Sequence, residues 1–423
     1  MTFTKHTLSN GMLVMLKEIH TTPIISHWVW YRVGSRDEPT GKTGLSHWVE
    51  HVQFRGTPTF PGGILDKEIA RLGGYWNAMT SLDFTTYYET LPSTKIALAL
   101  QLEADRMTNS LFTPEDVEAE RTIIISERQG SENSPFFLLT EEIQAAAFRV
   151  HPYHHEVIGD MADLHTITRD DLYQHYQTYY APNNAVLGIA GDFDTATMLG
   201  HIENAFGQLS TKPQIPRLQR PEPEQKGERR ITLEGEGDTP IIELAYHAPS
   251  ATHPDFMALS LASGLLCGVS SLSMFSSHLS NKTSRLYRAL IDQEYAVSVY
   301  GGMSATIDPH LLSITALPHP DRTSAETLAR LDEIIDELQN TPPTIDELER
   351  TRKQARALFA YSSESISNQA YWLGFSEIFA NYNWFETYLD RLNAITPKAV
   401  QHAAQTYLRR QNRVVGEYRP VDR

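Results

Sequence analysis

A gapless internal repeat constrains this chain more than any other feature. Residues 164 to 188 read LHTITRDDLYQHYQTYYAPNNAVLG and residues 392 to 416 read LNAITPKAVQHAAQTYLRRQNRVVG; residue 168 maps onto residue 396, an offset of 228. The copies share Leu164/Leu392, Ile167/Ile395, Thr168/Thr396, Gln177/Gln405, Thr178/Thr406, Tyr179/Tyr407, Asn184/Asn412, Val186/Val414 and Gly188/Gly416. Each copy has the pattern of a helix followed by a strand, so the architecture to expect is a duplicated unit that closes on this pair. Between the copies, residues 209 to 230 are dense in proline and charge and lack apolar periodicity, the composition of an interdomain connection. We therefore expect a first domain over 1–208, a linker over 209–228 and a second, homologous domain over 229–423. A length of 423 residues agrees, since it exceeds what one core usually serves.

Within the first half, TFTKHTL and MLVMLKEI flank Asn10-Gly11, a hairpin signal, and IISHWVWYRV (24–33) suits a central strand. Helical patterns follow over about 45–54 and 64–72, the second ending at Gly73-Gly74; two strand-like pieces lie in 75–91, and 94–148 is helical. Strands first, then a block of helices, then one returning helix and strand, predict an α+β class: two homologous domains, each a mixed, largely antiparallel sheet with helices packed on one face. The uncharged stretch from Phe256 to Ser277 has the length of a membrane span, but its serines and glycines favour a buried helix followed by a serine-rich loop. No membrane span is expected.

A formal charge of -16 excludes a general affinity for nucleic acid, which needs a dominant basic surface, and suggests basic peptides as partners. The start of the chain lacks a basic segment followed by an apolar one, so the cytoplasm is the expected compartment. The single cysteine, Cys267, restricts any metal site to His, Asp and Glu donors.

Such donors cluster in His47-Trp48-Val49-Glu50-His51. On a helix, residues four apart share a face, so both imidazoles reach one ion, with Glu50 beside them. Two histidines and a carboxylate are the minimum for a catalytic zinc centre that takes one more protein ligand and keeps an open position. Further along, Thr113 suits an N-cap and Pro114 a first helical position; Glu120 and Glu127, seven apart, share a face of that helix, while Glu118 points elsewhere. Pattern alone leaves Glu120 and Glu127 open between metal chemistry and a solvated stripe. His151, His154 and His155 are expected to be ordinary exposed loop histidines rather than a second metal site.

The blocks HWVEH, YWNAMTSLDFTTYYE, ERTIIISE, HPYHHEVIG, YYAPNNAVLGIAGDF, SRLYRALIDQEYAVSV and QAYWLGFSEIF stand in the order found in M16 metallopeptidases, and the chain resembles the single-chain members of that family. The resemblance implies a zinc-dependent endopeptidase acting on unfolded peptides or small polypeptides, with a substrate chamber between its halves. It implies His47, His51 and Glu127 as zinc ligands, Glu127 lying 76 positions after His51, with Glu50 as the general base and Glu120 supporting a ligating imidazole. It also implies Asn77 and Ala78 as the strand pair that receives an extended peptide. Arg288 and Tyr295, seven apart, fit the pair that holds the substrate carbonyl in some relatives, although the commoner alignment places Val297 at the tyrosine position; Glu156 stands where many relatives carry proline. The second half lacks the histidine motif and is expected to be catalytically silent. A homodimer, a heterodimer with a second M16-like chain, or a non-catalytic scaffold subunit are the assemblies that the resemblance leaves open.

Overall fold

A computed structural model describes residues 3–217, 219–273 and 279–421. The chain forms two compact units, neither continuous in sequence: one takes the residues up to Gln129, His155–Gln219 and Ser363–Phe385, the other Gly130–His154, Arg220–Ser362 and the residues from Glu386 onward. Each unit therefore holds most of one sequence half plus one helical segment from the other. The described residues of the proline-rich linker, 209–228, form no helix or strand, and the division between units also crosses the chain where composition does not change, where no linker signal can mark it.

The first unit carries β1 (Thr4–Thr7), β2 (Leu13–Glu18), β3 (Ile24–Tyr31), β4 (Tyr75–Thr80), β5 (Thr85–Pro92) and β6 (Ala185–Gly191), in the sheet order β1-β2-β6-β3-β5-β4. Only β2 and β6 run parallel; the hairpin β1-β2 turns at Gly11, whose φ of 83° needs glycine. The second unit carries β7 (Arg229–Gly235), β8 (Ile241–Ala248), β9 (Ala296–Met303), β10 (His310–Pro318) and β11 (Arg413–Pro420), in the order β7-β11-β8-β10-β9, again with one parallel pair, β7 with β11. The five strands match β2-β6-β3-β5-β4 in order and direction.

The repeat residues explain this match. Thr168 and Thr396 cap the helices Arg169–Tyr179 and Pro397–Tyr407 by accepting from the backbone N–H of Asp171 and Ala399. Asn184 donates to the carbonyls of Tyr179 (2.8 Å) and Arg32 (3.4 Å), and Asn412 to those of Tyr407 (2.8 Å) and His247 (2.9 Å), tying each helix end to the neighbouring strand. Gly188 and Gly416 lie where a helix crosses the sheet: a Cβ at Gly188 would stand 2.8 Å from the Ala370 carbonyl oxygen, and one at Gly416 2.5 Å from Ile143 Cδ1. Those crossing helices, Ile366–Phe379 on the first sheet and Pro135–Ala147 on the second, are the segments supplied by the opposite half of the sequence.

Side-chain alternation along β3 separates the two faces of the first sheet. Trp28 and Trp30 pack on Tyr371 and Phe375 of the crossing helix. His27 faces the other way, toward Glu89 and, through it, the helix Ile96–Asn109. The helices belonging to each half thus gather on one face, and the imported helix covers the other. In the second unit Phe256–Cys267 forms the buried helix expected from its uncharged sequence; residues 274–277 of the serine-rich loop lie outside the described residues. Among the described residues no helix is long and apolar enough to cross a membrane.

Candidate metal centre

The helix Leu45–Val52 follows Gly44, whose φ of 92° and close approach to the Ile158 carbonyl (2.6 Å from an added Cβ) exclude a side chain. Its N-terminus therefore lacks its own side-chain cap, and Glu38 supplies one from outside: the buried carboxylate accepts from Gly44 N–H (2.8 Å) and Ser46 N–H (2.7 Å), and its partner is His155 Nε2 (3.1 Å). Leu45, Trp48, Val49 and Val52 are buried, with the Arg121 guanidinium 4.7 Å over Trp48. That stripe turns His47 and His51 outward together, ring centroids 4.6 Å apart.

Glu127 meets them from the helix Pro114–Glu132. That helix is capped by Thr113, which accepts from Asp116 N–H at 3.1 Å. Glu118 points away and pairs with Arg121. One donor atom each of His47, His51 and Glu127 lies within 4.8 Å of the others, the only such group of three among the described residues; Glu127 Oε2 is 3.9 Å from His47 Nε2 and 3.7 Å from His51 Nε2. Ligands about 2.1 Å from a tetrahedral ion stand about 3.4 Å apart, so both sides that Glu127 makes lie within a few tenths of an ångström of the spacing zinc requires. Two imidazoles and one carboxylate, all on one side of the ion, are also a suitable donor set.

The protonation states agree with that fit. Burial, reinforced by the neighbouring His51, pushes His47 down to about 3, leaving a neutral imidazole with a free lone pair. Burial alone would push His51 down, but the hydrogen bond from its Nδ1 to Glu120 Oε2 (3.1 Å) and the carboxylates of Glu50, Glu120 and Glu127 together raise it above its usual value; the same hydrogen bond fixes the tautomer that presents Nε2. Burial would raise Glu120, but hydrogen bonds from His51 and Arg55 outweigh it and hold the carboxyl below its usual range. Glu50 is buried beside them. Burial lifts its carboxyl to about 7, against the opposing hydrogen bond from the Thr80 hydroxyl at 2.5 Å.

Asn77 and Ala78 lie on β4, the edge of the first sheet, opposite Tyr88 and Tyr87 of β5; Asn77 Oδ1 accepts from Ala78 N–H at 2.9 Å. Arg288 and Tyr295 belong to the second unit. Arg288 is exposed, in the turn Tyr287–Ile291; the Tyr295 ring lies 4.6 Å beneath the Arg322 guanidinium. The histidines after residue 150 correct the expectation of an exposed cluster: His151 and His155 are buried, one against Asp308 (3.1 Å) and the other against Glu38 (3.1 Å), because each finds a carboxylate partner within its own unit. Sequence reading missed Thr80, Arg55 and Glu38. Arg55 carried a signal, four residues beyond His51 on the same helical face; Thr80 and Glu38 carried none, since nothing in spacing links them to the histidine motif.

Comparison with known proteins adds two family models. Residues 13–161, which contain all five residues of the cluster, match "Insulinase (Peptidase family M16)", and residues 166–355 match "Peptidase M16 inactive domain". The chain is 28% identical over 370 residues (86% of the chain, 81% of the relative) to a protein named zinc protease PqqE of Helicobacter pylori. It is 29% identical over 263 residues (62% and 49%) to a probable mitochondrial-processing peptidase subunit beta of Arabidopsis thaliana. The crystal structure of a protease from Helicobacter pylori superposes with a TM-score of 0.92 at 26% identity, covering 99% of this chain and all of that one.

Proposed function

Since this chain belongs to the M16 peptidase family, we propose that it is a zinc-dependent endopeptidase that cleaves unfolded peptides or small polypeptides. The observation that carries the reading is the convergence of His47, His51 and Glu127 beside a buried Glu50. His47, His51 and Glu127 would hold the ion, which supplies Lewis acidity and makes water acidic enough to ionise near neutral pH. Glu50 takes the proton of the attacking water and returns it to the leaving amine, and a carboxyl near 7 exchanges protons in both directions. Thr80 fixes one carboxylate oxygen of Glu50 while Glu120 holds the His51 ring. The free edge of β4, with Asn77 and Ala78, receives the substrate as an added strand. Arg288 and Tyr295 are the pair proposed to hold the substrate carbonyl. The relative named as a subunit favours a partnered form as a second reading, in which a companion M16-like chain is needed for activity.

The test is zinc content, followed by cleavage of a quenched peptide by the wild type and by Glu50→Gln. The wild type should bind zinc and lose activity to chelators, and Glu50→Gln should be slower by roughly a hundredfold to ten-thousandfold. Equal, chelator-insensitive rates would sink the proposal. Zinc binding without cleavage until a second chain is added would select the partnered form.

A further inference from the structure

Below the histidine helix lies a buried group of charges that the reaction outlined above does not use. Arg106, Glu89, Glu103 and His27 are each at most 1% exposed. The Arg106 guanidinium donates to Glu103 and, at 3.4 Å, to Glu89, whose other oxygen holds His27 Nδ1 at 2.8 Å. Two carboxylates thus clamp one cation by its edge, leaving its faces to aromatic rings: Tyr87 at 4.1 Å, Phe54 at 5.5 Å and Trp76 at 5.6 Å.

Those three rings belong to the parts whose spacing the chemistry needs. Phe54 lies two residues beyond the helix that carries His47, Glu50 and His51; Trp76 is on β4 next to Asn77; and Tyr87 pairs with Ala78 across the β4-β5 ladder. Phe54 and Trp76 also touch each other, centroids 4.8 Å apart. We propose that Arg106 is a positioning residue: its clamped, planar guanidinium fixes Phe54 and Trp76, and through them the distance between the metal-binding helix and the strand that receives the peptide. This rests on the peptidase reading above. A lysine would keep the charge beside Glu89 and Glu103 but offers no flat face to stack.

The experiment is Arg106→Lys, measured for zinc content, thermal stability, kcat and KM, alone and combined with Trp76→Leu. The expected result is full zinc loading with kcat/KM lowered roughly tenfold to hundredfold, and little further loss from Trp76→Leu in the lysine background. A merely structural arginine would lower the melting temperature and leave the rates of the folded, zinc-loaded protein unchanged; kcat and KM both within about twofold of wild type would overturn the proposal. If Arg106→Lys does not fold, Phe54→Leu and Trp76→Leu, at partly exposed rings, decide the matter: the same loss is expected, and wild-type kinetics in both overturn it. If the wild type binds zinc and cleaves nothing, alone or with a second M16-like chain, the peptidase reading fails separately. Arg106 is then judged by the visible spectrum of the cobalt(II)-substituted protein, where a band shift in Arg106→Lys is expected and an identical spectrum overturns the proposal.

Discussion

In the first unit the chain leaving β3 enters a helix with two imidazoles on its open side and a buried carboxylate beside them; in the second, the chain leaving β8 enters Phe256–Cys267, where every residue except Ser260 is buried and none carries an imidazole or a carboxylate. Around these unlike helices the scaffolds agree. Strand order, the single parallel pair of the shared strands, the threonine cap, the asparagine tie and the glycine under the crossing helix recur. Residues that repeat are therefore the ones that hold backbone in place, and the proposed chemistry resides in residues that do not repeat. A second contrast lies under the crossing helices. Gly188 pairs with Trp28 and Gly416 with Glu243, so equivalent strand positions carry a tryptophan, stacked 3.9 Å from Tyr88, and a buried carboxylate.

The widest expected gap between the units is in metal binding. Glu120→Gln removes the carboxylate that orients His51 and pairs with Arg55, and should lower zinc affinity or activity by roughly tenfold to a hundredfold. Glu243→Gln, a similar change at a buried carboxyl of the second unit, should leave zinc affinity unaltered. Competitive zinc titration of both variants checks this. Equal affinity in the two would mean that the His51–Glu120 contact does not tune the site.

Much of this contrast was legible in the sequence because it is carried by local periodicities. The i,i+4 spacing put His47 and His51 on one face, the seven-residue spacing did the same for Glu120 and Glu127, the Asn10-Gly11 turn marked the hairpin at one edge of the first sheet, and the repeat marked an interior strand of each sheet. What escaped is non-local. The assignment of Pro135–Ala147 and Ile366–Phe379 to opposite units depends on which sheet face each helix buries, and both helices are apolar enough to suit either. Glu38 caps a helix six residues away through a glycine that cannot cap it itself, and Thr80 reaches Glu50 across thirty positions, contacts that no period in the chain encodes. His151 and His155, polar and close in sequence, looked like surface residues; each is buried because a carboxylate from a distant segment meets it.

The glycine equivalence can be tested by alanine at each site. At Gly188 the new Cβ would lie 2.8 Å from the Ala370 oxygen and 3.2 Å from Gly374 N, so the crossing helix itself must move. At Gly416 the neighbours are the ends of side chains, Ile143 Cδ1 at 2.5 Å and Leu139 Cδ1 at 2.9 Å, which can rotate. Both substitutions should destabilise by about 1–3 kcal/mol, Gly188→Ala more than Gly416→Ala. Urea unfolding monitored by tryptophan fluorescence reads the first substitution directly, since Trp28 and Trp30 lie against the same crossing helix. The reverse order would mean that the Ile143 and Leu139 side chains cannot give way at Gly416 as readily as the crossing helix does at Gly188.

The smallest expected effect separates the two positions beneath those helices by pH. Burial raises the Glu243 carboxyl above its usual range, and only hydrogen bonds from the Ser313 and Thr140 hydroxyls oppose the shift. The native state therefore keeps this proton to higher pH than the unfolded chain does. Below the ordinary carboxylate range both states are protonated and the contribution to stability is complete; as pH rises toward and through the raised value, the unfolded state binds fewer protons and stability falls. Glu243→Gln, which keeps the shape and cannot ionise, should flatten that decline and melt higher than wild type at pH 8 while differing little at pH 4. Trp28 has no charge to lose, so a substitution there should shift stability equally at both pH values. A melting profile of Glu243→Gln parallel to wild type from pH 4 to pH 8 would mean that the carboxyl is solvated in the native protein, and the contrast between the two positions would reduce to size alone.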